Sequence, residues 1–243
     1  MAEQEVIKHT KKLFKIWGDG SHSFWGKVRE FLLEIIIIVF AVSLSIWLHD
    51  KSEYKHQQHE VKEFLLGLRE DLLSDLKEIK QDKESYIAQE HAFKYLTSVK
   101  PGESLHPDSL KKHQNWFFNT TRLQQNDGRF EGFKASGKIG NINDKTIQNN
   151  IMDLYQENIP SLLAGSDAYI RLKNQLIDYG LKNRKRVSDS ANNLSSILLT
   201  DEAQNLCDAL SETGSIVDRY DSCINKMQII VKAIEDKYHI AAQ

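Results

Sequence analysis

FLLEIIIIVFAVSLSIWL, residues 31–48, carries a single ionisable side chain, Glu34, in an otherwise apolar run. At a helical rise of 1.5 Å per residue the run is about 27 Å long, close to a hydrocarbon core of about 30 Å. Trp25 and Trp47 stand near its two ends, where belt aromatics sit, and Lys27 and Arg29 can snorkel at the first end. A cleaved secretory signal fits poorly: the apolar block is too long, a long polar segment precedes it, and no small-residue cleavage site follows. The stretch therefore reads as one membrane-spanning helix, with a buried core helix as the remaining alternative.

The flanks give the orientation. Lys11, Lys12, Lys15, Lys27 and Arg29 precede the span, whereas Lys51 and Lys55 after it are diluted by Asp50 and Glu53. The positive-inside rule then puts the N-terminus in the cytoplasm and residues 49–243 on the other side. Upstream, EVIKHTKKLFKIW (residues 5–17) gathers Val6, Ile7, Leu13, Phe14 and Trp17 near one face, with lysines largely on the other. Such a short basic amphipathic helix suits the anionic cytoplasmic leaflet, or else a partner protein.

Glu34 shares its helix face with Ile38, Ala41, Ser45 and Leu48. Ala41 and Ser45 form a small-xxx-small pair, the type that lets two transmembrane helices approach closely. The other faces are Ile, Val, Leu and Phe, which suit lipid. An intramembrane carboxylate is a candidate functional group. Three roles remain open for it: a contact with another helix, a snorkelling edge residue, or part of a proton or ion path.

The rest of the chain is polar, with a mean hydropathy over all 243 residues of −0.48. Lysine and arginine number 32 against 34 acids, a net charge of −2, so no global field favours nucleic acid. With 3 prolines and 12 glycines there is little to interrupt helices, and no hairpin-punctuated alternation suggests strands. Cys207 and Cys223 are too few for a disulfide framework. Two separate buried thiols and one bridge across the Glu212-Thr213-Gly214 turn are both compatible with their placement.

The predicted architecture is all-α. A cytoplasmic segment (1–30) precedes the span (31–48), a long stalk helix (49–100) follows it, and an antiparallel helical bundle (101–243) packs on the stalk. Residues 49–60, HDKSEYKHQQHE, are polar all round. From Leu65 an apolar stripe begins: Leu65, Leu68, Leu72, Leu76, Ile79, Tyr86, Phe93, Leu96. Its seven-residue recurrence resembles a coiled-coil seam, but Asp75, Asp82 and Gln89 occupy companion positions. Packing against later helices of the same chain is the better expectation. Trp116, Phe117 and Phe118 are expected to supply core. Helices are predicted over about 130–136, 144–157, 161–186, 189–198, 201–212 and 216–238. Gly137 is expected as a C-terminal cap, Asn143-Asp144 and Thr200-Asp201 as starts, and Pro160 in a first turn or at a kink.

Chemical motifs are weak. GFKASGKI (132–139) lacks the Ser/Thr that holds Mg²⁺ in a phosphate-binding loop, since Ile139 stands there, and no strand precedes it. His56, His59 and Glu63 recur at i, i+3 and i+7, a spacing compatible with metal ligation, but face away from the Leu65/Leu72 stripe without a further ligand. KNRKR (182–186) can touch phosphate, yet cations at a helix end also favour its macrodipole. No nucleophile–base constellation is evident.

Two segments resemble an uncharacterised family of short membrane-anchored proteins from Bacteroidota. EIIIIVFAVSLSIWLHDKSEYKHQQHEVKEFLLGLREDLLSDL (34–76) is similar to its Glu-led span and Leu-, Arg- and Asp-rich helix. FEGFKASGKIGNINDKTIQNNIMDLYQ (130–156) is similar to its aromatic, Ser-Gly-Lys and Leu-Tyr element, with Ala135 where the family pattern has a further Ser. The N-terminal segment is longer than that pattern. The resemblance implies an inner-membrane protein with a periplasmic helical domain, and carries no activity. The resulting expectation is a non-enzymatic scaffold without cofactor or metal. Its partners would be membrane lipid and either a second copy or another inner-membrane protein, not nucleic acid. The alternatives are an assembly with Glu34 lining a proton or ion path and, weakest, a metal-dependent hydrolase at His56, His59 and Glu63.

Overall fold

The computed structural model describes residues 24–100, 103–187 and 192–240; the basic amphipathic segment 5–17 lies outside them. The fold is all-α. Helix α1 spans Phe24–Thr97, α2 Pro107–Phe118 and α3 Gly128–Ala135, followed by a 3₁₀ turn at Lys138–Asn141. Then come α4 (Lys145–Asp153), a π-helical turn (Leu154–Asn158), α5 (Ile159–Asn183), α6 (Leu194–Leu198), α7 (Asp201–Leu210) and α8 (Gly214–Tyr238). The chain divides into two compact units after Glu60.

In the first unit, α1 carries the apolar run with almost every side chain exposed, from Phe31 to Leu48. It is long and apolar enough to cross a membrane. Trp47 is capped by the Lys51 amine, 5.0 Å from the ring centre. Beyond it, residues 49–56 are exposed on all faces, and of the next four only His59 is exposed, with Gln57, Gln58 and Glu60 half-buried. One-turn pairs support this polar stretch: Gln57 donates to Glu53 at 3.2 Å, and His56 lies 3.5 Å from Glu60.

In the second unit, the Val61–Thr97 part of α1 becomes a core helix, with Leu65, Leu68, Leu72, Leu76, Ile79, Tyr86, Phe93 and Leu96 all buried. It is flanked on one side by α8. Arg69 pairs with Glu235 at 2.6 Å, Lys83 with Asp221 at 2.6 Å, and Thr213 donates to Glu90 at 2.5 Å. The descending partner numbers make the two helices antiparallel. Helix α5 runs the other way, parallel to α1, bringing Tyr169 against Tyr86 (ring centres 5.2 Å apart) and Lys173 to Gln89. Helix α5 in turn packs on α7 and α8.

The apolar seam of α1 is completed by a non-helical strap, residues 119–127, lying antiparallel along it. Asn126 donates to Asp75 from both its backbone and side-chain nitrogens, the backbone amide of Gln124 donates to Glu78 at 2.6 Å, and Thr121 donates to Asp82. Arg129, just past the strap, reaches Asp71 at 2.9 Å. That guanidinium lies over Gly67, where a methyl group would come within 2.3 Å of it.

Helix ends follow local chemistry. The Asp144 carboxylate accepts from the Thr146 and Ile147 amides, and Gly137 adopts φ +73° after α3, a conformation that costs glycine little. Thr200 precedes α7 as expected, but its hydroxyl turns back to the Ile197 carbonyl instead of capping. Pro160 stands in the first turn of α5, directly after the π-helical turn, so that α4 and α5 run on nearly continuously instead of as separate helices.

Two expectations change. Of the predicted helix over 189–198, the described part is helical over Leu194–Leu198, while Asn192 and Asn193 spend their side chains on loop backbone; 189–191 lie outside the described residues. Of the aromatic triplet only Phe117 is buried. Trp116 is half-buried and Phe118 is 48% exposed, since neighbours on a helix point about 100° apart.

Candidate functional site

Burial along the apolar run is uneven. Glu34 is 8% exposed and Ile38 half-buried, whereas Ala41, Ser45 and Leu48 are open. The acid is thus the protected member of the stripe, and the small-residue pair beyond it is bare. A buried carboxylate demands a compensating polar or charged neighbour, while a bare small-residue face permits a second backbone to come close.

The His56, His59 and Glu63 trio does not converge. His56 instead neighbours Glu60, and among the described residues no three His, Cys, Asp or Glu side chains are grouped to hold a metal ion. GFKASGKI forms the end of α3, the Gly137 turn and the start of the 3₁₀ turn, with no preceding strand. Its Gly137 conformation serves as a helix stop rather than a phosphate cradle. KNRKR straddles the end of α5, as its composition suggested.

A feature the sequence did not single out is the polar seam inside the second unit. Lys173 is fully buried, donates to the Gln89 side chain and the Asn119 carbonyl, and stands 6.0 Å from the Phe93 ring centre. Burial pushes its amine down to about 8. Next to it, Tyr86 donates to the Thr121 carbonyl at 3.0 Å and Tyr169 to the Leu210 carbonyl at 3.2 Å. Burial raises both phenols, and Tyr220 with them. Asp75 and Asp82 are likewise raised by burial, only partly offset by hydrogen bonds from Asn126 and Thr121.

Compared with known proteins, the chain matches no family model, no curated protein and no solved structure.

The seam's groups therefore have to be weighed by geometry alone. Cys207 and Cys223 are buried free thiols, both pushed up to about 12 by burial, which removes the thiolate that nucleophilic chemistry needs. Lys173 meets amide oxygens and an aromatic ring, not a carboxylate or an open surface. These groups join the strap, α1, α5, α7 and α8 to one another.

Proposed function

We propose that this protein is a non-enzymatic, single-pass protein of the bacterial inner membrane, with its N-terminus in the cytoplasm and its helical unit in the periplasm, acting as a scaffold or interaction module. The observation that carries the reading is the contrast along one helix. Its 31–48 part exposes apolar side chains throughout except at Glu34 and Ile38, while its Val61–Thr97 part is sunk in a bundle. Lipid is the natural solvent for the first part, and the charge bias of the flanks gives the orientation. The resemblance to the Bacteroidota membrane-anchored family supports the same location.

Self-association, or membership of a larger inner-membrane complex, is supported by the open Ala41 and Ser45 face beside the shielded Glu34. Gentle detergent extraction followed by mass measurement and identification of co-purifying proteins tests it. Oligomers or a constant co-purifying membrane protein that disperse on replacing Ala41 and Ser45 by Leu support the reading. A monodisperse monomer with no companion sinks it. Proton or ion flux through proteoliposomes, abolished by Glu34→Gln with assembly intact, would instead assign Glu34 to a conduction path.

A further inference from the structure

Four polar side chains meet inside the second unit. Asp82 and Tyr86 stand one turn apart on α1, Ser166 comes from α5 and Tyr220 from α8. All are buried: Ser166 and Tyr220 at 0% exposure, Tyr86 at 1% and Asp82 at 7%. The rings of Tyr86 and Tyr220 are 5.3 Å apart, and the Ser166 hydroxyl lies beside both phenols. Burial raises the two phenols, and the nearby Asp82 carboxylate adds to the rise in each.

Their hydrogen bonding is incomplete. The Tyr86 hydroxyl spends its proton on the Thr121 carbonyl at 3.0 Å, and Asp82 Oδ1 accepts from the Thr121 hydroxyl. Asp82 Oδ2, Ser166 Oγ and the Tyr220 hydroxyl are closed to solvent and have no hydrogen-bond partner among the described residues. Buried polar groups left bare are costly, and native proteins carry few of them. A direct bond from Ser166 to either phenol would still leave Asp82 Oδ2 bare.

We infer that this cluster binds one ordered water molecule, which accepts from Ser166 and Tyr220 and donates to Asp82 Oδ2 and to the Tyr86 hydroxyl oxygen. The count of protons selects this guest. An ionised Asp82 can only accept, and the Tyr86 oxygen, its proton spent, can still accept, while Ser166 and Tyr220 each have a proton to give. Two acceptors and two donors match the two hydrogens and two lone pairs of water, the usual occupant of a polar site of this kind. One carboxylate among hydroxyls suits a neutral guest better than a divalent cation, whose affinity depends on the charge of its ligands. Because Thr121 belongs to the strap, the water links the strap, through Asp82, to α5 and α8. The inference lies in the second unit and does not depend on the membrane reading.

The test is a crystal structure of the full-length chain in a lipidic phase, at a resolution that shows ordered water, for the wild type and for Ser166→Val. In the wild type a density peak is expected about 2.7–3.2 Å from Asp82 Oδ2, Ser166 Oγ and the Tyr220 oxygen. Valine removes one donor and sets methyl groups against the site, so the peak should be lost in the variant. Where valine is not tolerated, the wild-type map decides alone. An empty site with the side chains bonded directly to one another overturns the assignment. So does a peak at about 2.3–2.6 Å from several of the oxygens, which marks a cation, or one that persists unchanged in Ser166→Val.

Discussion

The Lys173 amine reaches from α5 to the side-chain carbonyl of Gln89 on α1, and both residues are closed to water. Among the described residues no carboxylate bonds the amine, and burial disfavours the ammonium form there. Its proton affinity falls from an ordinary 10.5 to about 8.

The consequence is a rise of stability with pH. Between about 8 and 10.5 the unfolded chain holds a proton on Lys173 that the folded chain has released. Cys207 and Cys223 act in the opposite sense, because above 9.0 the unfolded thiols lose protons that the folded ones keep up to about 12. Stability is expected to climb from pH 8 to about 9 and to decline above it. Denaturant unfolding of the detergent-solubilised chain across this range checks the maximum. Lys173→Met should remove the climb and leave the decline.

The same burial makes the two thiols inert. A shift from 9.0 to about 12 lowers the thiolate fraction on the order of a thousandfold at pH 8. Labelling with a maleimide should follow global unfolding for both residues. Fast modification of either in the native protein contradicts the buried placement.

Arg69 and Glu235 form a pair whose side chains are only 9% and 14% exposed, with two donated hydrogen bonds on one oxygen. Removing one partner strands the other charge, so Glu235→Ala should cost about 3 kcal/mol. Arg69→Leu combined with Glu235→Leu should recover most of that loss. A double-mutant cycle read by chemical unfolding measures the coupling, and simple additivity of the two changes would contradict it.

Asp75 anchors the strap through two nitrogens of Asn126. Replacing it by Ala leaves a backbone amide without its acceptor, an expected loss of about 1–3 kcal/mol. Its affinity for a proton is raised in the folded chain, so its contribution is full at acid pH and is lost as pH rises through the folded value. Asp75→Asn should accordingly lose least at neutral pH and flatten the acid side of the stability profile.

What the sequence made legible was local. The Asp144 cap and the Gly137 stop each depend on a few adjacent residues, and each is found where it was read. The broken heptad at Asp75, Asp82 and Gln89 correctly argued for intramolecular packing, but its occupants could not be read from nearby chemistry. Asn126 lies 51 residues from Asp75, Thr121 lies 39 from Asp82, and Lys173 lies 84 from Gln89. Two of these partners sit on a strap without periodicity. Glu34 was legible as an exception in the apolar run, and its burial beside the exposed Ala41 and Ser45 is visible only in the structure.

The pairing of α1 with α8 also governs when the second unit can be finished. Arg69 and Glu235 are 166 residues apart. At synthesis rates of about 5–20 residues per second, the core face of α1 waits roughly 8–30 s for its last partner to emerge. During that interval Leu65, Leu72 and Ile79 present a sticky ridge to whatever is close at hand. A nascent chain of this design needs shielding by a chaperone or by its own α5, and a ribosome stalled before α8 would release an aggregation-prone product.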